Sequence, residues 1–187
     1  DVDALSQQFA SYLQNHTSLK AGDRVAIQLP NVLQYPVAVF GALRAGMVVV
    51  NVNPLYTPDE MQHQLSDSGA VAIVILANMA SKLQDILSAT ALRHVIVTEL
   101  ADLHPLPQRL VINSVVRYVK KMVPPYHLSN AISWRAALAL GREKSYQPAA
   151  LQTDAVAALQ YTGGTTGVAK GVMLTHGNLL ANMRQCR

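Results

Sequence analysis

Cysteine and long apolar runs are scarce in this sequence. The single cysteine, Cys186, cannot form a disulfide within the chain. The first residues also lack the charged-then-apolar pattern of a secretion signal, so we expect a cytoplasmic protein. The longest uncharged apolar run lies between Ser68 and Ser81. Because crossing a bilayer takes roughly 20 residues, this run predicts no transmembrane helix.

Carboxylates are absent from one long stretch of the chain. No Asp or Glu occurs between Asp102 and Glu143, whereas six basic residues do: Arg109, Arg117, Lys120, Lys121, Arg135 and Arg142. These six positive charges exceed the formal net charge of +4, so the remainder of the chain is slightly acidic. Two interpretations stay open, a solvated basic face and a surface for an anionic partner. Aromatic residues do not alternate with the basic ones as in a base-stacking platform, so nucleic acid is not an expected partner.

The apolar residues, half of the 187, are sufficient for an ordered core. Short β-branched runs alternate with helical patterns, which is typical of parallel strands joined by crossover helices. The predicted fold class is therefore α/β. Strands are predicted at residues 24–29, 47–52, 71–76 and 94–98, with a helix between each pair.

Local signals mark the ends of these helices. Thr57, Pro58 and Glu60 form a capping box with proline at the first helical position, so a helix is predicted to begin there. Gly46 and Gly69 stand where two helices should end, because glycine adopts the left-handed conformation of a helix C-cap.

The carboxylate-free stretch is predicted to contain an amphipathic helix at residues 111–123. Val111, Val115, Tyr118, Val119 and Met122 would lie on one side, and Asn113, Arg117, Lys120 and Lys121 on the other. Pro124 and Pro125 predict its end. Such a helix either packs on the sheet or lies in the interface of an anionic membrane, and the sequence leaves both open. We predict that residues 103–146 form a basic amphipathic insertion.

A loop rich in glycine and threonine carries the clearest chemical signal. Residues 161–171 read Tyr-Thr-Gly-Gly-Thr-Thr-Gly-Val-Ala-Lys-Gly, between strand-like residues 155–160 and 172–175. Glycines bring backbone N–H groups close to phosphate oxygens, threonines add hydroxyl donors and Lys170 adds a cation. A plain hairpin turn needs fewer glycines. The spacing differs from a Walker loop and from the dinucleotide fingerprint, so we predict a phosphate-binding loop of another kind.

This loop resembles the signature loop of the adenylate-forming superfamily, which includes acyl-CoA synthetases, luciferases and peptide-synthetase adenylation domains. In that family the loop joins two strands and holds the phosphates of ATP. Residues 48–58 and 117–128 are in addition similar to bacterial long- and medium-chain fatty acyl-CoA synthetases. Ala169 replaces the proline of most members, a departure typical of the fatty acyl branch.

The resemblance implies functional roles for individual residues. Phosphate contacts are expected from Thr162, Gly163, Gly164, Thr165, Thr166, Gly167, Lys170 and Gly171. Lys170 is expected to be catalytic by neutralising charge during adenylation, and Thr162 to help hold Mg²⁺. The expected substrates are a fatty acid, ATP and coenzyme A. Peripheral contact with the inner face of the cell membrane, through the basic stretch, and a homodimer are left open by the sequence.

Several observations predict that the chain is only the amino-terminal part of an AMP-binding domain. It starts at Asp1, and residues 178–187 resemble a helix without a stop signal. The resemblance places the acidic Mg²⁺ ligand, the adenine and acyl pockets and the carboxy-terminal domain elsewhere, so we expect the chain alone to be inactive. Thr175 or His176 is expected to cap a helix, and the other histidines lack metal-ligand spacing.

Two other functions remain open from the sequence. The protein is either an adenylate-forming enzyme for a different carboxylic acid or a non-enzymatic module that docks on membranes through its basic stretch.

Overall fold

A seven-stranded sheet organises the chain in a computed structural model, which describes residues 1–162 and 169–186. Its strand order is β5-β4-β3-β1-β2-β6-β7, and only the β6–β7 pair is antiparallel. The strands are β1 (Arg24–Gln28), β2 (Val48–Asn51), β3 (Ala72–Leu76), β4 (His94–Thr98), β5 (Ala131–Ser133), β6 (Val156–Thr162) and β7 (Lys170–Thr175). The predicted α/β class and the four predicted strands are confirmed.

Helices cover both faces of this sheet. They are α1 (Val2–Asn15), α2 (Gln34–Arg44), α3 (Pro58–Ser68), α4 (Ala80–Ile86), α5 (Leu106–Ser114), α6 (Trp134–Gly141) and α7 (His176–Gln185). The predicted capping box of α3 is present, since the Thr57 N–H donates to the Glu60 carboxylate at 2.8 Å and the Thr57 hydroxyl accepts from the Glu60 N–H. Gly69 ends α3 at a φ of 62°, as predicted.

Two hydrophobic cores lie on opposite faces, because successive strand residues point in opposite directions. Val25 and Ile27 belong to the core beneath α1, α2 and α6, while Ala26 belongs to the core beneath α3 and α4. In the first core the rings of Phe9 and Trp134 lie 4.7 Å apart between centroids. All five residues of β3 are buried, as its near-continuous apolar run predicts.

The helix predicted at residues 111–123 has different boundaries. It begins as α5 at Leu106 and continues as one turn of π-helix over Val115–Val119. A proline in the first turn, where its missing N–H costs nothing, accounts for the earlier start. At the other end Lys121 adopts a φ of 52°, so the helix stops before Met122.

Part of the predicted insertion belongs to the body of the fold. Strand β5 pairs in parallel with β4, and α6 contributes Trp134 to the first core. Both elements fall within residues 103–146. That these residues form an insertion stays a prediction.

Candidate phosphate-binding site

A hairpin presents the two ends of the glycine- and threonine-rich loop side by side. Strands β6 and β7 pair so that Thr162 lies directly opposite Lys170. Both residues are exposed. The strands predicted before and after the loop are therefore both present, as β6 and β7. The predicted phosphate contacts Gly163, Gly164, Thr165, Thr166 and Gly167 lie outside the described residues.

The hairpin is joined to the parallel sheet through β2. Pairing runs from Val49 opposite Ala158 to Asn51 opposite Gln160, so β6 ends at the same sheet edge as β2. Open α/β sheets bind ligands outside the carboxyl ends of their parallel strands. The hairpin thus carries Thr162 to the edge where a phosphate ligand is expected.

A chain of polar side chains fixes this edge of the sheet. The Tyr35 hydroxyl donates to the Asn51 amide oxygen at 2.9 Å, and the Asn51 amide nitrogen donates to the Gln160 oxygen at 2.9 Å. From α3, the Gln64 side chain donates to the Asn51 backbone carbonyl at 2.7 Å. These bonds join α2, α3, β2 and β6 within two residues of Thr162. The bonds from Tyr35 and Gln64 are partly buried, and the bond between Asn51 and Gln160 is exposed.

Tyr161, the residue before Thr162, is held on both sides. Its hydroxyl donates to the Asp67 carboxylate of α3 at 2.5 Å. Its ring passes close to Gly171, where a Cβ atom would lie 3.0 Å from the Tyr161 Cζ atom. Burial, and next the bond to Asp67, raise the pKa of Tyr161, so its hydroxyl keeps the donated proton to a higher pH than a free tyrosine does. No local sequence pattern indicates this contact, because Tyr161 and Asp67 are 94 residues apart.

The strand after the loop leads directly into a capped helix. The Thr175 hydroxyl accepts from the Asn178 N–H at 3.1 Å, and the Asn178 side chain accepts from the Thr175 N–H at 3.0 Å. The predicted capping role of Thr175 is confirmed, and His176 is the first residue of α7. Next to it, the Gly177 N–H donates to the Thr153 carbonyl at 2.7 Å, which ties this helix start to the segment before β6.

Metal-ligating side chains do not cluster in the described part of the chain, where no group of three His, Cys, Asp or Glu residues could hold an ion. Thr162 supplies one hydroxyl oxygen at the loop. A complete Mg²⁺ site takes about six oxygen ligands, so most of them would have to come from other groups.

Helix α5 with its π-helical turn leaves much of its apolar side exposed. Ile112 and Val116 are half-buried, as are two polar residues. Of these, Arg117 pairs with Glu99 at 2.5 Å and the Asn113 side chain accepts from the Ala101 N–H at 2.9 Å. The exposed part of the apolar side includes Tyr118, which is 72% exposed, and Val119, which is 70% exposed. Arg117 lies on the polar side of the helix, as predicted, but its charge is paired with Glu99 and is therefore not free for an anionic partner.

The exposed apolar residues along this helix form one continuous strip. We call them the apolar strip: Leu106, Leu110, Val111, Val115, Tyr118, Val119 and Met122. Lys120 and Lys121 are exposed at its end. Beneath the helix opens a cavity of about 690 Å³, whose lining includes residues of both charges: Glu99, Asp102, Arg109, Arg117 and Arg135. Among the described residues, no helix is long and apolar enough to cross a membrane.

Comparison with known proteins agrees with this geometry. A family model described as AMP-binding enzyme matches residues 1–187, and the chain belongs to this family. It is 57% identical over 184 residues to a long-chain-fatty-acid–CoA ligase of Escherichia coli O6:H1, covering 98% of this chain and 33% of that protein. A long-chain-fatty-acid–CoA ligase of Bacillus subtilis is 35% identical, with 99% of this chain and 32% of that protein covered.

Solved structures give the same result. A crystal structure of a long-chain-fatty-acid-CoA ligase from Archaeoglobus fulgidus superposes with a TM-score of 0.75 at 26% identity, covering 99% of this chain and 31% of the other. The present chain thus spans about a third of the length of the curated relatives it matches.

Proposed function

We propose that the whole protein, of which this chain forms part, activates a fatty acid with ATP and transfers it to coenzyme A. The observation that carries this proposal is the hairpin that sets Thr162 opposite Lys170 at the two ends of the glycine- and threonine-rich loop. The 57% identity to a protein named long-chain-fatty-acid–CoA ligase supports the fatty acid as substrate.

The proposed reaction has two steps, and one carboxylate oxygen of the fatty acid ends in AMP. A carboxylate oxygen attacks the α-phosphorus of ATP, pyrophosphate leaves, and an acyl adenylate forms. The thiol of coenzyme A then attacks the acyl carbonyl, and AMP leaves with the original carboxylate oxygen. A carboxylate and a triphosphate repel each other, so the protein must act through positioning and through donors placed around the transferring group.

Lys170 and Thr162 are suited to complementary tasks in the first step. The exposed ammonium group of Lys170 lies at one end of the loop and can offset charge on the phosphates. Thr162, opposite it, can donate its hydroxyl to a phosphate oxygen or offer that oxygen to Mg²⁺. Mg²⁺ would screen the triphosphate, and ATP oxygens and water fit the remainder of its usual coordination.

We propose that this chain alone does not complete the reaction. Its described residues offer no cluster of carboxylates for Mg²⁺ beside the loop. The acyl, adenine and coenzyme A pockets are expected in the remainder of the protein.

The substrate class is tested with the whole protein and a panel of carboxylic acids. We expect thioester formation with medium- and long-chain fatty acids at a kcat/KM far above that for benzoate or 4-coumarate. A preference for an aromatic acid would favour the alternative of an adenylate-forming enzyme with another substrate. Failure with every acid, in the presence of ATP, Mg²⁺ and coenzyme A, would refute the ligase proposal.

A second role, docking on the inner face of the cell membrane, is favoured by the apolar strip. An apolar helix side that faces outward lacks the burial that normally stabilises it, and a membrane interface supplies such burial. Lys120 and Lys121 lie where anionic headgroups would attract them.

The electrostatic contribution to membrane binding depends on how many basic side chains are not already paired within the protein. Arg117 is paired with Glu99, so only Lys120 and Lys121 of the predicted basic face are counted. At about 1 kcal/mol for each lysine near an anionic surface, the two contribute roughly 2 kcal/mol. This corresponds to about a 30-fold change in affinity and is screened by salt over about 10 Å at 0.1 M.

Vesicle co-sedimentation of the whole protein tests this docking. Lys120→Gln/Lys121→Gln should weaken binding to anionic vesicles about 30-fold at low salt. A matched variant, Lys20→Gln/Lys144→Gln, changes two exposed lysines beside α1 and should bind as the parent does. Equal binding by both double variants, or no preference for anionic over neutral vesicles, would contradict electrostatic docking.

A further inference from the structure

We infer that Tyr161 and Asp67 form a clamp that positions both ends of the phosphate loop, which makes Tyr161 a positioning residue for ATP. This inference rests on the proposed function. It starts from the place of Tyr161 in the sheet. Parallel pairing between β2 and β6 ends at Gln160, so Tyr161 is the first residue of β6 beyond that pairing. Without another anchor, the hairpin from Tyr161 onward would be held mainly by the pairing of β6 with β7.

The anchor comes from α3. The Tyr161 hydroxyl donates to the Asp67 carboxylate at 2.5 Å, and hydrogen bonds to charged groups are the stronger class. Helix α3 is itself well fixed, since it is capped at both ends and buries Met61 and Leu65 completely. The side chain of Tyr161 thus connects the last residue before Thr162 to a rigid helix.

The same side chain also fixes the opposite strand. Tyr161 lies across from Gly171 in the β6–β7 pairing, and its ring occupies the space that a Cβ atom at Gly171 would need. The nearest approach would be 3.0 Å to Cζ and 3.1 Å to Cε2 of Tyr161. Glycine at position 171 therefore leaves room for the Tyr161 ring beside β7, while the ring's hydroxyl reaches Asp67 of α3. Because Gly171 follows Lys170, the clamp restrains Thr162 and Lys170 together.

Loss of the clamp should affect ATP more than the fatty acid. In the whole protein we expect Tyr161→Phe and Asp67→Ala each to raise the KM for ATP about three- to tenfold, and to leave the KM for the fatty acid unchanged. Asp67→Asn keeps an acceptor oxygen and should be milder. Since both residues act through one bond, the double variant Tyr161→Phe/Asp67→Ala should be no worse than either single variant.

Two measurements accompany the kinetics, the thermal unfolding midpoint and the equilibrium affinity for ATP. Tyr12→Phe is the matched control, because Tyr12 is a buried tyrosine of the other core, on the opposite face of the sheet. A lowered unfolding midpoint with an unchanged KM for ATP would overturn the clamp and leave Tyr161 as a core residue only. Independent, multiplying effects of the two substitutions would overturn it as well.

The outcomes separate this inference from the proposed function. If the parent protein converts no carboxylic acid, the ligase proposal fails, and the ATP affinities of the variants still decide on the clamp. If the parent binds ATP and Tyr161→Phe binds it equally well, the clamp is refuted while the ligase proposal stands. A parent that neither converts an acid nor binds ATP would refute both.

Discussion

Replacing Lys170 by alanine in the whole protein should lower the rate of adenylation and leave the stability of the fold almost unchanged. Lys170 is the first residue of β7, and it is exposed. Surface substitutions of this kind change stability by about 0.5 kcal/mol or less. A charged donor aimed at developing phosphate charge is worth ~3 kcal/mol, which corresponds to a rate factor of about 100. We therefore expect adenylation to slow about 100-fold while the unfolding midpoint stays within a degree or two of the parent's.

The assay is rapid-quench measurement of acyl-adenylate formation at saturating ATP and fatty acid, beside thermal unfolding of the same samples. Lys20→Ala serves as the control, since Lys20 is an exposed lysine near the start of β1 and far from the loop in sequence. An adenylation rate equal to the parent's would refute the assigned role and make Lys170 a solvated loop residue. A large fall in the unfolding midpoint would refute the argument that its side chain contributes little to stability.

Three further outcomes follow from individual contacts. The 187-residue chain by itself should give no ATP–pyrophosphate exchange above background with any fatty acid, and measurable exchange would show that it holds a complete site. In the whole protein, Gly141→Ala should destabilise the fold by about 3 kcal/mol or more in denaturant unfolding, since its Cβ would clash with the Gln8 backbone carbonyl, whereas Ala139→Ser on the exposed side of α6 should change little. The Thr57 N–H and hydroxyl lower the pKa of Glu60, so stability from this cap is present above the usual glutamate range and is lost as pH falls through the lowered pKa. Thr57→Ala keeps the backbone N–H and removes the hydroxyl, so it should flatten this acid dependence in part in an unfolding series, and an unchanged profile would contradict a contribution from the hydroxyl.

Local signals were sufficient for the central strands and for helix α3. The run at residues 94–98 coincides with β4, and the capping box at Thr57 gave the start of α3 because its donors and acceptors are three residues apart. Helices α1 and α6 were not predicted. Their stability depends on contacts distant in sequence, such as the ring pair of Phe9 and Trp134.

The orientation of α5 could not be predicted, for a related reason. Periodicity separates an apolar from a polar side but does not say which side meets the domain. Contacts of Arg117 with Glu99 and of Asn113 with the Ala101 N–H, both in the preceding loop, orient the helix on the domain.

The candidate site likewise contains residues that local sequence predicts and residues that depend on the tertiary fold. The glycines, threonines and Lys170 are predicted to bind phosphate from composition and order, because phosphate binding needs backbone freedom, hydroxyl donors and a cation close together, and these contacts stay a prediction. Asp67 gave no such signal, since it is one of several polar residues at the end of α3. Its relation to Tyr161 arises only when β6 enters the sheet beside β2.

The route of the carboxylate oxygen tests the central claim, adenylation followed by thioester formation, most directly. The whole protein is incubated with ATP, Mg²⁺, coenzyme A and a fatty acid carrying ¹⁸O at both carboxylate positions, and the products are analysed by mass spectrometry. The account predicts one ¹⁸O atom in each AMP and one in each acyl-CoA. Unlabelled AMP, or ADP with ¹⁸O in inorganic phosphate, would contradict it, because the carboxylate would then not have attacked the α-phosphorus.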